Sequence, residues 1–169
     1  MEKRIVHRSG AAWEDIAIAG YAPGVPGNVE RHTIVGERRA DDSAPGPKLE
    51  LRYFRLERGA ASRLEKHEHE HYVIVGEGRG KAYVAGAVSD IGERDVVYVG
   101  PLEPHQFVNV GEDPFGFFCV VPTVRDFSQA LTPDELAAIA ANPAAAFVQP
   151  DGQPRPKYER VAISEPAVR

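Results

Sequence analysis

Between positions 65 and 71 the chain reads Glu65-Lys66-His67-Glu68-His69-Glu70-His71, with three histidines at alternate positions. In an extended strand successive side chains point to opposite faces. Glu65, His67, His69 and His71 then share one face, and Lys66, Glu68 and Glu70 share the other. Imidazole and carboxylate are donors that Fe, Mn, Ni, Cu and Zn ions accept, and Val73 and Val75 carry the same face on toward an apolar core. A fourth histidine, His105, stands downstream at the junction of a loop and a strand. The pattern predicts a mononuclear metal site in a β-rich domain. The plainer alternative is a solvated His-rich strand that takes metal adventitiously. A purification tag is a poor fit, because the tract is internal and interleaved with charges.

The elements that must hold such a site follow from the texture around it. From Leu49 onward, short apolar runs alternate with glycine-rich turns at the spacing of a sandwich or barrel. The runs are Leu49 to Leu56, His71 to Val75, Lys81 to Ala85, Asp95 to Val99, Gln106 to Val110 and Phe115 to Val121. Residues 1 to 48 read as an irregular segment punctuated by Pro23-Gly24, Pro26-Gly27 and Pro45-Gly46-Pro47, with one strand expected around His32 to Val35. After the strands, Thr132 as N-cap, Pro133 at the first helical position and Glu135 three residues after the cap predict a helix with a capping box. Leu136, Ile139 and Ala140 form its apolar stripe, expected to pack on the outside of the β-domain, and Asn142-Pro143 stops it. The division expected is 1–48 irregular, 49–122 β-domain, 123–148 helical segment and 149–169 a Pro-rich, extended tail.

With 169 residues the chain is sized for one domain with a full core. Net charge is -5 and the 20 basic residues are scattered, which argues against a nucleic-acid partner. No run approaches the roughly 18 apolar residues of a membrane span, and the first residues lack the apolar core of a signal peptide. A soluble, cytoplasmic protein is expected. The single cysteine, Cys119, lies among Phe117, Phe118, Val120 and Val121 and reads as a buried structural thiol. His7 and His32 fall in the irregular segment and read as structural or solvated. Most of the aromatics on strands, Tyr53, Tyr72, Tyr83, Tyr98, Phe107 and Phe117, read as core, with Phe107 the best candidate to line a cavity beside His105. Tyr72 and Ile74 are apolar on the face opposite the histidines. That face needs cover from the N-terminal segment or a second copy, so a homodimer is expected.

These spacings resemble the cupin superfamily, whose first motif reads G-x5-H-x-H-x3 or 4-E-x6-G. Here the frame is Gly59-x5-Glu65-x-His67-x3-His71-x6-Gly78, with Glu65 where the first His is usual and His71 where the Glu is usual. In the second motif, G-x5-P-x-G-x2-H-x3-N, His105 and Asn109 fit, while Arg94, Gly100 and Leu102 replace Gly, Pro and Gly. Pro101 and Gly92 nearby still support a turn. The resemblance covers roughly residues 48 to 122. It implies an all-β, jelly-roll barrel in which Glu65, His67, His71 and His105 bind one divalent transition metal, iron favoured, with manganese, nickel, zinc or copper as alternatives. His69 lies on the ligand face by alternation, so a bulge between residues 67 and 71 would make it a ligand in place of Glu65 or His71.

Three His and one carboxylate leave open positions for O2 or a chelating small molecule. The first expectation is a non-haem iron dioxygenase acting on a small organic substrate. The second is an isomerase or lyase that uses the metal as a Lewis acid, and the third is a non-catalytic small-ligand binder. A sugar-phosphate enzyme would want converging basic groups; Arg52, Arg55 and Arg58 are available, but Arg52 and Arg55 differ in parity and face opposite ways on a strand.

Overall fold

The computed structural model describes residues 6–20 and 29–150. Two antiparallel sheets face each other across one core. The larger contains Ile18–Gly20 (β3), Val29–Val35 (β4), Leu49–Leu56 (β5), His71–Glu77 (β6), Val96–Val99 (β9) and Phe115–Pro122 (β11), in the order β3-β4-β5-β11-β6-β9. The smaller contains Arg79–Val84 (β7), Ala87–Gly92 (β8) and His105–Val108 (β10), in the order β10-β7-β8. Arg8–Ser9 (β1) and Ala12–Trp13 (β2) form a separate hairpin. This is the jelly-roll barrel expected of the sequence. The expected strand at His32 to Val35 is the second half of β4, so the span 1–48 contributes two strands to the main sheet.

Period-two alternation decides what points inward. On β5 the inward residues are Glu50, Arg52, Phe54 and Leu56; on the neighbouring β11 they are Phe115, Phe117, Cys119 and Val121. The register sets Arg52 opposite Cys119 and Phe54 opposite Phe117. Phe54, Leu56, Val73, Val75, Phe107, Phe115 and Phe117 fill one end of the barrel with apolar side chains. The other end is left to the polar residues. On the outer face Trp13 lies against Tyr53 (4.6 Å) and Phe118 (5.8 Å), with the buried His32 beside it at 5.4 Å. His32 is therefore structural, as the sequence suggested. The N-terminal segment covers that part of the sheet and leaves Tyr72, Ile74, Val96 and Tyr98 exposed.

Both glycines that frame the first motif hold left-handed backbone, Gly59 at φ +73° and Gly78 at +71°. At Gly78 a Cβ would lie 2.1 Å from the Pro114 carbonyl oxygen, so no other residue fits that β6–β7 turn. Helix α1 (Pro133–Ala140) carries the expected capping box at Thr132 and Glu135. Its Ile139 and Leu136 pack with Leu64, Tyr83, Leu131 and Val148 on the outside of the barrel. Lys66 Nζ, on the face opposite the histidines, meets the Glu135 carboxylate at 2.7 Å and ties the histidine segment to this helix. The tail expected over 149–169 lies outside the described residues from 151 onward. Among the described residues no helix is long and apolar enough to cross a membrane.

Candidate metal centre

Glu65 reaches the barrel interior through an isolated antiparallel bridge to His105, each backbone N–H donating to the other's carbonyl at 3.2 and 3.0 Å. The continuous strand begins only at His71, so residues 67 to 70 bend instead of alternating. The bend brings all three tract histidines together. His67, His69 and His71 have donor atoms within 4.8 Å of one another, and so do Glu65, His67 and His105. His67 belongs to both groups. Glu65, His67, His71 and His105 are buried, at 8%, 1%, 7% and 2% exposure, while His69 is half-buried.

Backbone carbonyls orient the rings. His67 Nδ1 lies 2.7 Å from the His69 carbonyl oxygen and His105 Nδ1 lies 2.9 Å from that of Glu103. A ring N–H donated there leaves Nε2 as a lone pair aimed inward, the arrangement usual for a metal-bound histidine. His71 Nε2 stands 3.2 Å from His69 Nε2. That is hydrogen-bond distance, so His69 Nε2 stands directly beside the position from which His71 would hold an ion. His67 Nε2 and Glu65 Oε2 are buried with no hydrogen-bond partner. Buried polar atoms are rarely left so, and these two stand among the other donors, where one ion would satisfy both. The donor set therefore fits a divalent transition metal.

Burial is the main force on the imidazoles. It pushes His67, His69, His71 and His105 below the ordinary histidine range, His69 and His105 to about 4, and the neighbouring rings push His67, His69 and His71 in the same direction. The rings are held neutral, as ligation requires. Asp126 behaves oppositely. Burial raises it, but hydrogen bonds from the Glu68 and His69 amides and the His69 ring outweigh that and hold it at about 2.

A cavity of about 30 Å³ lies against Glu65, His71 and His105, walled by Phe54, Phe107 and Phe117. That is room for about two water-sized groups, such as an ion and one donor atom of a small molecule. Phe107 lines it as the sequence suggested. A groove of about 390 Å³ between β8 and β9 is larger, but its lining from Ala82 to Tyr98 offers no histidine. Ser62 and Cys119 were not anticipated there; the Cys119 Sγ lies 3.1 Å from Nη2 of Arg52, which the sequence offered only as a basic group on its strand. The thiol is buried as expected, yet it faces the cavity. Asp126, four residues beyond β11, was missed altogether.

The cupin domain profile matches residues 52–121, from β5 through β11. A cupin-2 domain protein of Rhodospirillum rubrum of known structure is 33% identical, with a TM-score of 0.68 over 83% of this chain and 91% of that one. A cupin 2 domain-containing protein of Halorhodospira halophila is 34% identical, with a TM-score of 0.61 over 86% of this chain and 95% of that one. A curated protein of Rhodospirillum rubrum named 1-methylthio-D-xylulose 5-phosphate methylsulfurylase is 40% identical over 97 residues, 57% of this chain. That match spans 62% of the relative's length. With the barrel, its inward histidines and these relatives in agreement, the chain belongs to the cupin superfamily, among the cupin-2 domain proteins.

Proposed function

We propose that this chain is a metal-dependent enzyme acting on a methylthio-substituted ketose phosphate, with the ion held by Glu65, His67, His71 and His105. The observation that carries the metal site is the pair of buried, unpartnered atoms, Glu65 Oε2 and His67 Nε2, set beside His71 and His105. The substrate class comes from the 40% identical methylsulfurylase. When bound, the ion supplies Lewis-acid polarisation of a substrate oxygen.

The chain's own residues do the rest. Glu65 is the one anionic donor of the set, and the carbonyls of His69 and Glu103 keep His67 and His105 in the ligating tautomer. Phe54, Phe107 and Phe117 exclude water from the reacting end. His69, with its Nδ1 held by Asp126, presents an unprotonated Nε2 placed to take a proton from the carbon beside a polarised carbonyl. Removal of the C3 proton gives a 2,3-enediol, whose electrons expel methylthiolate from C1 and leave a 2,3-dicarbonyl; the thiolate departs as methanethiol with the proton.

A non-haem iron dioxygenase acting on a small organic substrate is the second reading, supported by the same donor set and apolar wall. The deciding experiment loads the purified protein with Fe, Mn, Ni or Zn, confirms one ion per chain, and supplies 1-methylthio-D-xylulose 5-phosphate under strict anaerobiosis. Loss of the methylthio group without O2 is the expected result. Turnover only in air, with O2 consumed, would replace this reading with the dioxygenase.

A further inference from the structure

The barrel is not closed between β8 and β9. β8 is the edge of the smaller sheet and β9 the edge of the larger, and neither is hydrogen-bonded to the other. The side chains that face this gap are short. Ala82 and Val84 on β7 and Val97 on β9 turn toward the core, and Ser89, directly opposite Ala82 in the register, shares their face. At the apolar end the interior is filled by Phe54, Phe107, Phe115 and Phe117. Small side chains between the two sheet edges leave a groove of about 390 Å³ instead.

Two register pairs carry this groove to the metal cavity. Val97 is paired across the ladder with Val73, and Ala82 with Phe107. The first member of each pair lines the groove, and the second lines the cavity beside His71 and His105. One layer of apolar side chains therefore divides the two hollows. Val73, Ala82 and Phe107 are buried, but Val97 is half-buried, and rotamer changes at such a position are fast and need no backbone movement.

Charge decides what can cross such a layer. An ion would give up its hydration there without finding a partner, whereas a small neutral molecule gives up little. The charged residues lining the groove are both carboxylates: Asp90, which meets Lys81, and Asp95, whose Oδ2 accepts the Gly92 amide at 2.7 Å. Neither recognises a phosphate. Both readings of the site do move a small neutral molecule, methanethiol outward or O2 inward.

We propose that the groove between β8 and β9 is a side port to the metal cavity for small neutral molecules, gated by Val97 and Ala82 and closed to anions. The port rests on the reading of the histidine cluster as a metal site, and on neither choice of reaction.

The test loads the protein with Fe(II) and follows nitric oxide, a neutral diatomic, and azide, an anion, onto the iron by anaerobic stopped-flow absorption. Ala82→Leu fills the floor of the groove and Ser89→Trp its opening. Each should slow association and dissociation of nitric oxide about tenfold, a barrier raised with Kd unchanged. Azide should keep its wild-type rates in both variants, and Val97→Ala should take up nitric oxide faster than wild type. Nitric oxide rates unchanged in both filled variants overturn the port. So does azide slowed as much as nitric oxide, or an altered nitric oxide Kd, since either would mean that the substitutions act on the metal site itself. Ser89 is exposed, so its variant keeps the test valid should Ala82→Leu fail to fold. A parallel arm follows methanethiol onto Co(II)-loaded protein. Slowing of methanethiol together with nitric oxide makes the port common to thiol and gas, and slowing of nitric oxide alone assigns it to the gas. If iron-loaded protein forms no nitric oxide species, the metal reading fails and the port with it; if the filled variants are slowed as expected while no methylthio group is lost from the sugar phosphate, the port stands and the ketose reading falls.

Discussion

Asp126 holds His69 at two points, its Oδ1 lying 2.6 Å from the ring Nδ1 and 3.1 Å from the backbone N–H, while its Oδ2 takes the amide of Glu68 at 2.8 Å. One carboxylate thus fixes both the bend at residues 68–69 and the orientation of the ring on it. His69→Ala should keep metal within a few-fold of wild type and slow turnover about 10²-fold or more, the usual worth of a positioned base. Asp126→Ala should slow turnover in the same direction and also loosen the bend. Metal content by elemental analysis and single-turnover rates check both. Loss of metal in His69→Ala as complete as in His71→Ala would show that His69 ligates the ion and that the donor set includes it.

Glu65→Gln separates ligation from folding. Glu65 Oε2 is buried with no partner, and such an atom costs about 1–3 kcal/mol. Replacing a buried carboxylate by a neutral amide should therefore make the chelator-treated protein more stable, by about 1 kcal/mol, while weakening metal binding. His67→Ala removes the residue common to both donor groups and should abolish stoichiometric metal. Urea melts with and without chelator, beside elemental analysis, read out both effects. A metal-free Glu65→Gln protein less stable than wild type would mean that Glu65 is satisfied by the fold and not by an ion.

How much of this was legible in the sequence depends on how local the cause is. The capping box at Thr132 and the runs that became β5, β6 and β11 are local, and the structure places them where spacing put them. Strand β8 escaped notice because it buries only Ile91 and presents Ala87, Ser89 and Asp90 outward, leaving no alternation to see. Simple alternation over 65–71 was misleading, because a bend interrupts it and the residue that holds the bend lies 57 positions away. No spacing rule connects Asp126 to His69.

The second motif shows a subtler case. Arg94 and Leu102 stand where the cupin pattern has glycine, and both keep the left-handed backbone that glycine would favour, at φ +73° and +59°. The Leu102 amide donates to the His67 carbonyl at 2.6 Å, so the turn is fixed by the metal segment regardless of residue type. Left-handed backbone costs a non-glycine residue about 1 kcal/mol. Leu102 is half exposed, so Leu102→Gly gives up little burial. It should raise stability by about 0.5 kcal/mol once the extra freedom of glycine in the unfolded chain is counted. Denaturant melts of Leu102→Gly against Leu102→Ala check this, the alanine variant showing no gain.

The exposed face of β6 and β9 carries Tyr72, Ile74, Val96 and Tyr98, with Glu70 accepting hydrogen bonds from both tyrosine hydroxyls. β9 is also an edge strand of the larger sheet, with backbone groups open to pairing. We expect a second copy of this chain to cover it. Light scattering at micromolar concentration should give a dimer mass, and Val96→Glu should shift it to monomer without loss of bound metal. A monomer in the wild-type protein would exclude this surface as the interface.

The histidine cluster also sets how the metal-free protein responds to acid. Burial lowers the folded-state pKa of all four site histidines, those of His69 and His105 to about 4, below the roughly 6.5 of an unfolded chain. Between those values the unfolded chain binds protons that the folded one refuses, so stability rises with pH through this window. The contribution is full above pH of about 6.5 and falls away as pH drops toward 4. Bound metal holds the same rings deprotonated, and acid must then displace it, so metal-loaded protein should resist acid down to a lower pH and then release metal and stability together. Melting temperatures of chelated and loaded protein, taken from pH 8 to pH 4, check this. A chelated protein whose melting temperature is flat across that range would mean that the four rings are solvated in the folded state and do not form a preorganised metal site.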